Sequence, residues 1–319
     1  MKKISVVIPM YYEEEVVEVC YERVISNLKK LSDRYDYEII FINDGSKDGT
    51  LEILKKIADN DEKVKIISFS RNFGHQAAVT AGIRKALGDA VIIMDADLQD
   101  PPELFEGMIE KWKAGYDVVY GQRKTRKGES VFKLLTAKMF YSTLNKLSEI
   151  EIPKNTGDFR LVDRKVIDVI VSLPEHNKFL RGLFSWVGFN QYAYEYDRAN
   201  RLAGKTKYPL KKMFKLATDG ILSFSAKPLK VVGAIGFFSV MVSIVILIYS
   251  IVSYLFKLND LTSGWTSIMC TMTFIGGMIL ISLWMIGEYI ARIYEESLGR
   301  PEYIIDELIN FKGEENEKN

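Results

Sequence analysis

The chain has 319 residues, 43 Lys+Arg against 42 Asp+Glu and a formal net charge of +1, which leaves room for one large domain or two smaller ones and excludes a wholesale nucleic-acid binder. Hydrophobic residues make up 48% and charged residues 27%, but this globular average conceals a split, because Val231 to Ile290 is nearly bare of charge. Two cysteines, Cys20 and Cys270, lie one in each regime and suggest no disulfide framework, so a reducing compartment is the simpler expectation.

The first residues, MKKISVVIPMYYEEE, hold an apolar patch cut by a proline and then by three glutamates. That is too short and too soon acidic for a signal peptide, and it predicts a first strand, ISVVIPM, in a cytosolic domain. Glu14 to Leu31 has apolar residues at helical spacing (Val17, Tyr21, Val24, Leu28). YEIIFIND predicts a second strand and Thr50–Asp59 a helix, with Leu51, Leu54, Ile57 and Ala58 on one face. VKIISFS, a helix over Gln76–Leu87, DAVIIMD, a helix over Pro102–Lys113 and DVVYGQR continue the alternation. Strands alternating with helices predict an α/β fold with right-handed crossovers and a mainly parallel sheet covered on both faces. Ligands of such sheets gather at the carboxyl ends of the strands. The polar clusters PMYYEEE, NDGSKDGT, SRNFGHQ, DADLQD and GQRKTRK fall there.

SVFKLLTAKMFYSTLNKL (130–147) is amphipathic and reads either as a surface helix packed on the core or as a helix lying on the membrane. PLKKMFKLATDGILSFS immediately precedes the apolar region, which favours the membrane surface for that segment. Val231–Phe256 is uncharged and exceeds the roughly 20 residues that span a bilayer. Thr266–Tyr289 is similar, with one charge, Glu288, at its far end, and KLNDLTSGW joins the two. A transmembrane hairpin is expected. Lysines cluster before the first span (Lys205, Lys207, Lys211, Lys212, Lys215, Lys227, Lys230) and the connector has one, so both termini are expected in the cytoplasm. In the tail, YIIDELI predicts a short strand or helix, and KGEENEKN is expected to be disordered.

The stretch DADLQDPPE concentrates carboxylates after a strand. Asp95 and Asp97, two apart, can converge on one cation, and oxygen-only ligands select a hard ion, Mg²⁺ or Mn²⁺. Alternatively Asp97 or Asp100 caps the helix starting at Pro101 or Pro102. Both hold if Asp100 is the cap and Glu103 a first-turn acid facing the helix dipole. Asp44 also follows a strand, and Gly45, Ser46 and Gly49 let the chain turn. Its carboxylate could accept hydrogen bonds from a base or ribose, or belong to a plain turn. Glu13 follows the first strand, where Tyr11 could flank a flat ring. Arg71 and Arg123 end neighbouring strands and could meet phosphates.

SVVIPMYYEEE, FINDGSKDGT, SRNFGHQAAVTAG, MDADLQDPPE, GQR, TGDFRLVDR, RLAGKTKY and the apolar hairpin together resemble the membrane-anchored glycosyltransferases of family 2, with the GT-A fold. Within that family the chain is most similar to the polyprenyl-phosphate glycosyltransferases, which include dolichol-phosphate mannose synthases and bactoprenol glucosyltransferases. One departure is Tyr12, where the family usually has Asn before the first Glu. The resemblance implies that Pro9, Tyr11, Glu13 and Asp44 line a nucleotide pocket. Asp95 and Asp97, with Ala96 between them and Gln99 nearby, would hold the metal, and Arg71 and Arg123 would serve the phosphates. Asp158 occupies the place of the proposed catalytic base, with a structural acid paired to Arg160 or Arg164 as the alternative. Arg201, Lys205 and Lys207 would meet the lipid phosphate or the leaving diphosphate. The implied division is a GT-A domain over 1–208, an amphipathic segment over 209–230, spans at 231–256 and 266–290, and a tail over 291–319.

The implied reaction is inverting transfer of one sugar from a nucleotide sugar to undecaprenyl phosphate at the cytoplasmic membrane face. UDP-glucose is the expected donor, with UDP-GlcNAc, GDP-mannose or a modified aminoarabinose donor as rivals. Two spans are too few for a sugar channel, so a separate flippase is implied. Membrane lipids and a second copy of the chain are the other expected partners. A processive polysaccharide synthase fits less well, because the chain has no Arg-Trp pair and few spans. A non-catalytic scaffold that binds nucleotide sugars is the rival from another class.

Overall fold

The computed structural model describes residues 1–124, 153, 155–175, 178–197, 227–256 and 265–311. The amphipathic stretches expected at 130–147 and 209–225, and Arg201, Lys205 and Lys207, lie outside these residues. The described chain forms two compact units, one holding residues 1–197 and 301–311 and the other the two long apolar helices.

In the first unit, strands form where β-branched and aromatic residues run together. They are β1 (Lys2–Met10), β2 (Tyr35–Asn43), β3 (Val64–Phe69), β4 (Ala90–Ile93), β5 (Val118–Arg123), β6 (Thr156–Asp163), β7 (Gln191–Tyr196) and β8 (Ile305–Ile309). The helices between them are α1 (Val17–Lys29), α2 (Thr50–Asn60), α3 (His75–Lys85), α4 (Phe105–Lys113), α5 (Arg164–Ser172) and α6 (Leu180–Trp186). The sheet runs β7-β5-β6-β4-β1-β2-β3-β8. β4, β1, β2 and β3 are mutually parallel, whereas β6 is antiparallel to both neighbours and β8 is antiparallel to β3. This is the mostly parallel α/β sheet expected, with two strands reversed.

β1 is central and nearly wholly buried, and it contains Pro9, a residue that cannot donate to a ladder. Its position explains the tolerance. Met94 N–H donates to Val7 C=O on the β4 side, while Asp44 N–H donates to Met10 C=O on the β2 side. Pro9 therefore turns its nitrogen toward β4, whose pairing with β1 ends at Val7. On one face α3 packs tightly because its sequence is small: a Cβ at Gly82 would collide with the Val7 and Ile42 side chains. The core on the other face is built from Ile4, Val6, Ile8, Ile39, Phe41 and Ile92 against Val17, Val24, Phe105 and Trp112.

The expected helix over Pro102–Lys113 begins as one 3₁₀ turn, Pro102–Leu104, and turns α-helical at Phe105. Asp100 does not cap it: the cap residue is Pro101, with no side-chain cap bond. The Asp100 side chain is instead fully buried, accepting the Tyr196 hydroxyl and facing the Arg123 guanidinium. An interior cation and hydroxyl hold the carboxylate where a cap would leave it half-solvated. Glu103, in the first turn, meets Arg23 through two bonds of 2.8 and 3.1 Å.

The second unit consists of α7 (Lys227–Leu255) and α8 (Trp265–Ser297), which touch one another. Within α8, Phe274–Ser297 (24 residues) contains an 18-residue window of mean hydropathy 1.7, and it is the one stretch among the described residues long and apolar enough to cross a membrane. Its large apolar side chains, Phe274, Leu280, Leu283 and Trp284 among them, are exposed.

Candidate active site at the carboxyl edge of the sheet

Strand direction gathers the site. β1, β2, β3 and β4 end at one edge, and β5 ends there with Arg123. β6 runs the other way, so its beginning, Thr156–Asp158, lies at that same edge. The strand order changes direction at β1, which has β2 on one side and β4 on the other. The crevice outside such a switch point is where open α/β sheets take ligands.

Asp44 leaves β2 at this edge with its carboxylate occupied. Oδ1 accepts Phe73 N–H at 2.7 Å, and Oδ2 accepts Gly74 N–H at 3.0 Å and Asn72 Nδ2 at 2.7 Å. Burial raises its pKa against the lowering effect of these amides. Asp44 thus fixes the loop that precedes α3. Gly45 follows at φ +65°, with Arg71 Cα 2.7 Å from where its Cβ would be. Only glycine fits that conformation at so close an approach. Arg71 lays its guanidinium 4.0 Å from the Phe73 ring centre.

At the end of β1, Tyr12 sits at φ 55° and its N–H donates to Ser46 Oγ, while Glu13 N–H donates to Thr50 Oγ1. Tyr11 packs edge-on against Tyr12 and is 37% exposed. The structure therefore sets Tyr11, Glu13 and Asp44 around one rim, with Pro9 buried beneath in β1.

Asp95, Ala96, Asp97, Leu98 and Gln99 form the loop after β4. Leu98 takes φ 54°, and Gln99 N–H turns back to Asp97 Oδ1 at 3.1 Å. Asp95 is crowded: enclosure raises its carboxyl to about 6, with Asp158, Asp100 and Asp97 adding to the rise and His75 opposing it.

Asp158 is the hub. Its oxygens accept a fork from Arg181, Nε at 2.7 Å and Nη2 at 2.8 Å, and Oδ2 also lies 3.0 Å from His75 Nε2. His75 Nε2 is in turn 3.8 Å from Asp95 Oδ1. Burial would raise the Asp158 carboxyl, but Arg181 and His75 hold it well below the usual carboxylate range. Burial alone would lower the His75 imidazole, yet the bond to Asp158 and the charges of Asp95 and Asp158 lift it to about 9. One ligand atom each from His75, Asp95 and Asp158 lies within 4.8 Å of the others.

Asp158 thus pairs with Arg181, and neither Arg160 nor Arg164 takes that place. Arg160 binds the backbone carbonyls of Gly157 and Asp158, and Arg164 those of Ala86 and Gly88. Arg123, at the end of β5, bonds Tyr196 Oη at 3.4 Å and faces Asp100 at 3.6 Å. Sequence reasoning did not single out His75, Arg181 or Tyr196, and it read Asp100 only as a helix cap. His75 lies inside the quoted SRNFGHQ cluster, but nothing local marks Arg181, which meets Asp158 across 23 residues of sequence.

Residues 5–171 match the family model described as glycosyl transferase family 2. The chain is 53% identical over 304 residues to the glycosyltransferase YkcC of Bacillus subtilis (strain 168), covering 94% of this chain and 92% of that one. It is 44% identical to the bactoprenol glucosyl transferase of Shigella phage SfV, covering 95% and 98%. It is 41% identical to the prophage bactoprenol glucosyl transferase homolog of Escherichia coli (strain K12), again covering 95% and 98%. Among solved structures, mannosyl-3-phosphoglycerate synthase from Rubrobacter xylanophilus aligns with a TM-score of 0.47 at 17% identity, over 68% of this chain and 71% of that one. A family model matching more than half of the chain, and relatives this close along nearly its whole length, establish that the chain belongs to glycosyltransferase family 2.

Proposed function

We propose that the chain moves one sugar, with inversion, from UDP-glucose to undecaprenyl phosphate at the cytoplasmic membrane face. The observation that carries this reading is the convergence of Asp95, Asp158, His75 and Arg181 at the switch point of the sheet. The acceptor class is supported by relatives at 41–44% identity whose names are bactoprenol glucosyl transferase.

The residues present fit a divalent cation. Three further carboxylates crowd Asp95, and Oδ2 of buried Asp100 has no hydrogen-bond partner among the described residues. Asp95 and Asp97 would hold Mg²⁺ or Mn²⁺, with His75 and Asp158 within reach. Such an ion supplies charge neutralisation for a leaving nucleoside diphosphate. Tyr11 offers its ring to the base, and Asp44 orders the Asn72–Gly74 loop beside it. Gln99 follows β4, Arg71 follows β3 and Arg123 ends β5. These strands are not neighbours in the sheet, contrary to the expectation for Arg71 and Arg123, but all three end at the carboxyl edge where the diphosphate would lie.

Asp158 serves better as an anchor than as a base. Both of its oxygens are taken by cations, and the carboxyl stays ionised. The acceptor does not need a strong base, since a phosphate monoester with a second pKa near about 6 is largely dianionic at neutral pH. Its oxygen displaces the diphosphate directly, which inverts the anomeric centre. Arg201, Lys205 and Lys207 would gather the lipid headgroup.

Connectivity supports a membrane hairpin. β8 follows α8 yet joins the same sheet as strands that precede α7. A chain that leaves and re-enters one folded unit crosses a membrane an even number of times. Phe274–Ser297 is one crossing, and α7 is the available second. By the positive-inside rule, the lysines before α7 support a cytoplasmic sheet. A separate flippase and a homo-oligomer belong to the same reading.

The test is transfer of label from UDP-glucose, UDP-GlcNAc, GDP-mannose and an aminoarabinose donor into undecaprenyl phosphate with Mg²⁺ or Mn²⁺. Lipid-borne label from UDP-glucose is expected. Label from another donor alone would correct the sugar, and label from none would favour the scaffold.

A further inference from the structure

After α8 the chain returns to the catalytic unit, and it does more there than close a sheet edge. Glu302 and Tyr303 precede β8. Glu302, whose side chain is 9% exposed, faces the 2% exposed Lys178 ammonium at 3.5 Å, and Lys178 also donates to Glu175 C=O at 2.6 Å. The Tyr303 ring stacks on Phe69 at 5.0 Å and 13°, and its hydroxyl accepts Arg84 Nη1 at 3.1 Å. Ile304 C=O accepts Ser70 N–H at 3.1 Å. Phe69 in turn meets Phe73 edge-on at 5.7 Å, in the loop that Asp44 fixes.

These contacts converge on two elements. Gln76, Thr80 and Arg84 are spaced by four and form one stripe of α3. Gln76 Oε1 accepts Leu180 N–H, the first residue of α6, at 3.0 Å. Arg84 meets Tyr303. The segment that opens α6 is thus held by Gln76 from one side and, through Lys178, by Glu302 from the other. α3 begins with His75, and the second residue of α6 is Arg181. Both point at Asp158.

We propose that Glu302 and Tyr303 are positioning residues for the reaction centre: the chain returning from the apolar helices wedges α3 and α6 so that His75 and Arg181 meet on Asp158. This rests on the transferase reading for its kinetic consequence but not for its geometry. Tyr303 and Glu302 touch no candidate ligand group themselves. They act through the direction of one helix start and one loop.

The test uses the full chain in lipid nanodiscs with Glu302→Gln, Tyr303→Leu and the milder Tyr303→Phe, which keeps the ring stack and removes only the hydroxyl. A misplacement of about 1 Å at a reacting centre costs on the order of a hundredfold in rate. Tyr303→Leu is therefore expected to lower kcat by about ten- to a hundredfold with donor KM little changed, while the fraction folded, from thermal melting, stays near that of the parent. Tyr303→Phe, which keeps the stack on Phe69 and loses only the Arg84 bond, should lose less. Glu302→Gln should fall between the two tyrosine variants, and Glu302→Asp should restore part of the loss. The chain has 2 histidines, His75 and His176, so the His75 ring signal is assignable by NMR after replacing His176. At fixed pH that signal should move in Tyr303→Leu toward its position in Asp158→Asn. An unmoved His75 signal overturns the proposal, as does a kcat loss no larger than the loss of folded protein. If the parent transfers no sugar, the transferase reading fails, and the His75 signal still decides this one.

Discussion

Replacing Asp158 separates an anchor from a base. In Asp158→Asn one of the two oxygens becomes an NH₂ group that faces a guanidinium N–H 2.7 or 2.8 Å away. At least one of three charge-assisted contacts is lost and one donor is left facing another. A hydrogen bond to a charged group contributes about 1.5–3 kcal/mol, and each 1.36 kcal/mol is about tenfold in rate. The single variant should therefore lose roughly 10- to 150-fold in kcat if the carboxylate works by holding Arg181 and His75. Arg181→Met should lose a similar amount, since it removes the other half of the fork. The double variant should lose little more than either single one, because residues in one network do not add. The assay is kcat for label transfer into lipid phosphate in the four proteins of the cycle. It should be run from pH 5.5 to 8.5 in the parent, where Asp158, held well below the usual carboxylate range, contributes no acid limb, so any limb near about 6 belongs to Asp95 or to the acceptor phosphate. Losses that multiply in the double variant, or Arg181→Met at parental activity with Asp158→Asn inert, would refute the anchor and restore the base.

Asp97→Asn should abolish transfer while circular dichroism and melting stay unchanged, and unaltered turnover would sink the metal assignment. Chelation with EDTA should likewise stop transfer, with recovery on adding Mn²⁺ or Mg²⁺. Glu38→Gln should destabilise the chain by about 3 kcal/mol at neutral pH, the low end for breaking a buried pair because Lys3 can reach water. Glu38 is 1% exposed, with Lys3 and Lys65 ammonium groups each 2.9 Å from Oε2 as ion pairs, while Oε1 accepts Ser5 and the Leu87 amide. Burial raises its carboxyl, but these partners bring it below the ordinary 4.5. A depressed folded pKa stabilises above the unfolded value and is lost as pH falls through the folded one. The parent's advantage over Glu38→Gln should therefore be full above pH 4.5 and fade below it in urea melts. Gly45→Ala should cost both donor affinity and stability, because the added Cβ meets the Arg71 backbone at a positive φ; parental donor affinity would show that the turn relaxes freely.

The β-branched runs of β1 and β2 and the apolar spacing of α2 are legible because burial and period are local properties. The helical spacing starts three residues early, at Glu14, because Glu14–Val16 form a turn closed on Glu13 C=O (Val16 N–H at 2.9 Å, Val17 N–H at 3.0 Å), and α1 begins only at Val17. Asp100 misled because capping is a local preference, and Tyr196, ninety-six residues away, outweighed it. The strand or helix choice for YIIDELI was undecidable locally, since only the open edge of β3 makes it a strand. Of the site, the strand-end acids were visible as motifs. His75 and Arg181 were not, because each acquires meaning only when β6 runs antiparallel and brings Asp158 to them.

The position of β8 also bears on the order in which the molecule is completed. β3 is synthesised early, and its outer edge has no partner until residues 305–309 emerge, after both apolar helices. An unpaired edge invites association with other chains. During synthesis that exposure ends only once α8 has left the ribosome, so the edge closes at the point where the apolar helices are already free to enter a bilayer. A chain stalled before residue 300 would carry the strand-end acids and still present an open sheet.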